Sequence, residues 1–196
     1  MNHQKALYVV SIFILVAVVL RLPAQQSPYA QAEPNDSGSL RAIFEEDQRD
    51  RANFDSASVA RDTKRREQVR RLIDEGKVQS AQDYFFAAMI FQHGQNPSDY
   101  LLAHVLAVTA ATKGSKAGLW LSAATLDRYL QSTQKAQIFG TQFLGDKTLT
   151  QEPYDTKLIP DTLRAAWCVV PYAAQVSILA DANAGKTLRS TGCLSN

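Results

Sequence analysis

Two histidines, His93 and His104, lie in one short stretch, FQHGQNPSDYLLAHVL, on either side of a tight turn; the third, His3, falls within the first twenty residues. Imidazole is the side chain best suited to exchange protons near neutral pH, as general base, shuttle or metal ligand. Further along, Asp127 and Arg128 interrupt the otherwise apolar segment ATLDRYL, and QIFGTQ supplies Gln137, Thr141 and Gln142. These types together offer a base, an acid to orient it and donors for developing negative charge, which are the parts of a hydrolytic site. In that reading His93 or His104 is the base, Asp127 orients it, Arg128 or Gln142 stabilises charge, and Gln92 lies alongside.

Each of these residues also has a structural role open to it. His93 precedes Gly94, a position where an imidazole interacts well with a helix C-terminus. His104 shares a helical face with Tyr100, Leu101, Ala107 and Val108, the setting of a satisfied core histidine. Asp127 shares a face with Trp120, Ala123 and Ala124, where a lone carboxylate is costly, so it needs a partner among Arg128, His93, His104 and Arg51. There is no GxSxG element and no HExxH or comparable ligand spacing, so neither covalent catalysis nor a metal is expected, and no cofactor is implied.

The elements that position these residues read as helices. LRAIFEEDQRDRANF and VARDTKRREQVRRLIDEG are charged segments with narrow apolar stripes, the second stopped by Gly76, and they predict peripheral helices. Ser80-Ala-Gln-Asp83 offers a capping box for DYFFAAMIFQHG, apolar at almost every position and so buried on several sides. Asn96-Pro97-Ser98-Asp99 restarts a helix that Gly114 stops, and Ser115 caps the next. Connections this short make successive helices antiparallel. Residues 134–160 have no helical period, and an ordered segment of that length on a rigid scaffold often carries function. Closing helices follow, one started by Pro171 and ended by Gly185. The expected fold is all-α, an antiparallel helical array with one long ordered loop near residues 134–160.

The N-terminus points to export. An apolar run from Ala6 to Leu20 behind Lys5 fits a secretory signal and is short for a membrane span, with small residues at Ala24 and Ala32 as cleavage points. Residues 1–32 are therefore expected to be a signal peptide, or an anchor through residues 6–20 if uncleaved; 33–39 a linker; and 40–196 one helical domain, periplasmic or extracellular. Of the 21 basic residues two, Lys5 and Arg21, belong to the leader, leaving 19 against 19 acidic ones. A neutral mature chain argues against nucleic acid, whose binding rests on neutralising phosphates, and the basic run TKRREQVRR reads as a solvated helix face. In an oxidising compartment Cys168 and Cys193 are expected to pair, closing a loop worth about 3 kcal/mol and removing thiol chemistry from consideration.

QH, AH, DR-Y-L and Q-I-F-G-T-Q, in this order and with D-Q-R-D-R at residues 47–51, resemble an uncharacterised bacterial family of domains of unknown function over most of residues 44–164. The resemblance picks out Asp47, Gln48, Arg51, Gln92, His93, His104, Asp127, Arg128, Gln137, Gly140, Thr141 and Gln142. The family carries a glycine where this chain has Gln134, and it implies no activity. Consecutive helices with Ala and Gly at close-packing positions are similar to helical-repeat hairpins, although no 34-residue period is present. A binding or interaction module for a peptide, a protein or a small polar ligand is thus expected, with the hydrolase as the alternative; a membrane enters only through an uncleaved leader.

Overall fold

Local capping signals set the central helices of the computed structural model, which describes residues 37–53 and 55–186. The Ser80 side chain accepts from the Asp83 amide at 3.1 Å while the Asp83 carboxylate accepts from the Ser80 amide at 2.9 Å. This closed box starts α3 (Ala81–Gln92), which follows α1 (Ser37–Ala52) and α2 (Ser58–Asp74) in the chain. Asn96 caps α4 (Pro97–Thr112), with Pro97 in its first turn, and Ser115 caps α5 (Lys116–Ser132). Residues 93–96 and 113–115 are too short to do anything but reverse the chain, so α3, α4 and α5 alternate in direction.

Gly118 lets α5 approach α4 closely. A Cβ there would meet the Ala111 backbone nitrogen at 2.8 Å and the Ala107 oxygen at 3.0 Å. The main core gathers on α3, where Phe86, Ala87, Ile90 and Phe91 are buried with Leu106, Ala107 and Leu121. The charged helices α1 and α2 lie on α3 through narrow stripes, as their sparse apolar pattern predicts. Phe44 stacks on Phe86 with ring centroids 4.3 Å apart, Val69 is fully buried, and the Arg70 guanidinium lies 5.2 Å over the Phe91 ring. Helix α1 begins at Ser37, three residues before Leu40 and inside the stretch read as linker.

After α5 the chain enters the long loop, then forms α6 (Asp161–Ala166) and α7 (Tyr172–Asn183). The fold is all-α: among the described residues there is no strand, only the isolated bridges Gln137–Tyr154 and Leu144–Thr150 inside the loop. A second core of Ala123, Phe139 and Val169, with Trp120, Leu126 and Trp167 packed against it, holds the loop on α5. Gln134 has a φ of 60°, in the left-handed region that a glycine favours. Gly140 has a φ of 78°, and a Cβ there would lie 2.0 Å from Gln175 Oε1 and 2.7 Å from the Tyr154 ring, so only glycine fits this bend.

Residues 1–32, most of the 33–39 segment and Cys193 lie outside the described residues, so the leader, its cleavage and the Cys168–Cys193 pair do too. Cys168 itself is buried, just beyond the end of α6. Among the described residues no helix is long and apolar enough to cross a membrane.

Candidate functional site

The residues singled out by type fall into two constellations. The first is built on Asp127, whose side chain is fully buried on α5. One carboxylate oxygen accepts from the Ile138 and Phe139 amides at 2.8 and 3.0 Å, and the other from the Thr141 amide at 2.9 Å and hydroxyl at 2.8 Å. The bend at Gly140 turns these amides inward, so the carboxylate occupies the place that an anion takes in a nest of backbone N–H groups. Burial pushes the Asp127 carboxyl above the usual carboxylate range, against the downward pull of these four donors. The partner expected from the sequence was a charged side chain, Arg128, His93, His104 or Arg51. The partners found are loop amides, because the loop folds back over α5 and brings its own backbone to the acid.

Glutamines complete this constellation. Gln137, fully buried, donates to the Gln142 carbonyl at 3.0 Å and to the Gln151 carbonyl, and accepts from the Gln142 amide at 3.0 Å. Gln142 donates to the Ala124 carbonyl of α5 and to the Thr141 hydroxyl, both at 3.1 Å. Gln151 donates to the Gly140 carbonyl, and Gln175 of α7 donates to the carbonyls of Phe139 and Val170, both at 2.9 Å. Gln137, Gln151 and Gln175 thereby satisfy loop backbone that the helices cannot reach, as a buried loop requires, and Gln142 ties the loop to α5.

The second constellation surrounds the C-terminus of α3. The last carbonyls of a helix lack intrahelical donors and carry the negative end of its dipole. Here Arg128 Nη1 donates to the Gln92 carbonyl at 2.6 Å, Arg66 Nη1 to the His93 carbonyl at 3.3 Å and the Tyr100 hydroxyl to the Gly94 carbonyl at 2.8 Å. Arg128 also donates through Nε to Gln142 Oε1 at 3.1 Å, which joins the two constellations. Burial lowers the Arg128 guanidinium to about 10, with the neighbouring Arg51 charge acting the same way and Tyr100 opposing both.

The His93 side chain is 5% exposed, and its Nδ1 donates to Asp47 at 2.9 Å. Burial holds its pKa below the ordinary imidazole value, although the Asp47 carboxylate pulls the other way. Asp47 is 1% exposed and also accepts from Gln48 Nε2 at 2.9 Å, with Arg51 at 3.8 Å and Arg65 at 3.7 Å. Arg51 and Arg65 in turn bond Asp62, and Arg65 and Arg61 each reach Asp50 at 2.7 Å, which ties α1 to α2. The acid bonded to His93 is therefore Asp47, picked out in the sequence only by the resemblance, and not Asp127. His104 stands apart from this set: its Nδ1 donates to the Ser122 carbonyl of α5 at 2.9 Å, a link between α4 and α5. The two imidazoles flank the turn yet serve different partners.

Gln151, Gln175, Arg65, Arg66 and Tyr100 escaped the sequence reading. Gln175 carried a usable signal, a lone polar residue in the apolar run YAAQVSILA, which is the sign that marked Asp127. Arg65 and Arg66 were hidden in a basic run that reads as a solvated face. Among the described residues no group of three or more His, Cys, Asp or Glu side chains is disposed to hold a metal ion. No family model, curated protein sequence or solved structure matches the chain.

Proposed function

We propose that the mature chain is an exported binding or interaction module and that its partner, a protein or peptide with an apolar face, docks on α6, α7 and the end of the long loop. The observation that carries this reading is exposure: Leu158, Leu163, Tyr172 and Val176 are 60%, 48%, 41% and 48% exposed, and α7 buries only Gln175. The Tyr172 amide donates to Asp161 Oδ1 at 2.9 Å, which sets the start of α7 against the start of α6. Single exposed apolar side chains are ordinary, whereas several on adjoining elements mark a contact surface. The polar residues favour the same reading, since Asp127, Arg128 and the glutamines serve helix ends and loop backbone. A hydrolase would work through His93 with Asp47 as its orienting acid, but a ring 5% exposed gives a substrate little approach.

A photo-reactive residue at Leu163 or Val176, in the chain produced by its own host, is expected to give one discrete heavier adduct. Val176→Asp should abolish the adduct formed from position 163, and a probe at Leu101, exposed on α4, should give none. Absence of an adduct from both positions, or the same adduct from position 101, contradicts the docking surface. Export itself is supported by the leader and the two cysteines. Intact mass of the secreted chain should correspond to a start after Ala24 or Ala32, with no thiol alkylated before reduction; two alkylated thiols would overturn the Cys168–Cys193 pairing.

A further inference from the structure

We infer that the partner of the α6–α7 surface is a second copy of this chain, seated antiparallel on α7 across a two-fold axis through Val176; the inference rests on that surface being the docking site. Helix α7 is held to the molecule from one side, by the loop. Gln175 donates to the Phe139 and Val170 carbonyls, Asn183 accepts from the Leu149 amide at 2.7 Å and donates to its carbonyl at 3.0 Å, and the Tyr154 ring meets Tyr172 edge-on with centroids 5.9 Å apart. The opposite side is open: Tyr172, Ala173, Val176, Ser177 and Ala180, at the three- and four-residue spacing of one helical face, are all exposed. Leu163 of α6 and Leu158 of the loop are exposed as well.

Charge on this face suits a contact of like with like. A two-fold contact sets a patch against itself, so a cluster of one sign would repel its own copy. No charged residue lies between Tyr172 and Ala180. Asp181 and Lys186, which follow, bond each other at 2.9 Å, and Asp161 at the start of the helix already holds Arg164 at 3.0 Å and the Tyr172 amide. Pairing α7 with α7 therefore sets no charge against its twin and strips no ion of water on that face. Contacts between identical subunits are also the more apolar class of interface.

Shape points the same way. Bulk lies in the first half of the face, at Tyr172 and Val176, and the second half is small, at Ala180. With the two Val176 side chains at the axis, antiparallel packing puts Tyr172 of one copy across from Ala180 of the other, large against small, and opposes the two helix dipoles. Helix α7 has 12 residues and so runs about 18 Å. A contact of that length is at the small end of protein interfaces, so the dimer forms and dissociates with concentration.

Sedimentation of the purified secreted chain between about 1 µM and about 1 mM tests the pairing, and a shift from one copy to two across that range is expected. Val176→Asp and Val176→Lys should each weaken the dimer about tenfold or more, because each sets like charges together at the axis, and an equimolar mixture of the two should dimerise again. Leu101→Asp, on the exposed face of α4, should dimerise as the native chain does. One copy at every concentration, a dimer that Val176→Asp leaves intact, a dimer that Leu101→Asp breaks, or a mixture of the two Val176 variants that stays monomeric would overturn the inference. Its failure is distinct from failure of the docking surface: an adduct from position 163 or 176 whose added mass is not that of this chain leaves the surface standing and overturns the second copy, whereas no adduct from either position removes both.

Discussion

Asp127→Ala lowers the unfolding free energy by about 3 kcal/mol or more, because it leaves the Ile138, Phe139 and Thr141 amides and the Thr141 hydroxyl without their acceptor in a site closed to water. Relaxation is limited, since Gly140 fixes the bend and Gln175 and Tyr154 fill the space beside it. Asp127→Asn keeps one acceptor oxygen but turns an amine toward donors, so it too destabilises, by about 1–3 kcal/mol. Trp167, whose ring centroid lies 5.0 Å from that of Phe139, reports on the loop through its fluorescence during urea unfolding. A loss below about 1 kcal/mol for Asp127→Ala would show that the loop does not depend on the carboxylate. Such a result would also reopen Asp127 for chemistry.

What the sequence made legible was local. The caps at Ser80, Asn96 and Ser115, the stops at Gly76 and Gly114 and the boundaries at Pro171 and Gly185 act within a turn of their own residue, and all stand where the pattern places them. The all-α fold follows from them. The need of Asp127 for a partner was legible too, because burial of its face followed from its neighbours. Its partners were not, since they depend on the path of a loop with no periodicity. Asp47 and His93 are 46 positions apart, and nothing in the spacing of either marks the other. Gln151 and Gln175 act on carbonyls that only the folded loop brings to them. Residue type signalled that something polar was buried; tertiary structure decided whether it was a site or a joint.

Arg128 is where these two outcomes diverge most. It holds the C-terminus of α3 through the Gln92 carbonyl, reaches the loop through Gln142 Oε1 and sits with its guanidinium carbon 5.8 Å from the centre of the Tyr100 ring. Arg128→Met keeps length and apolar volume but removes both donors while leaving both acceptors in place. Stripping one side of buried, charge-assisted hydrogen bonds costs about 1.5–3 kcal/mol each, offset in part by relief of desolvating the cation. The expected net loss is about 2–3 kcal/mol. A residue kept for function behaves in the opposite way, because functional sites hold charge and strain at a cost to the fold. The urea-unfolding free energy of Arg128→Met beside that of the native chain is thus the most direct test that this cluster is scaffold: a fall of about 2–3 kcal/mol is predicted, and an unchanged or higher value would contradict it.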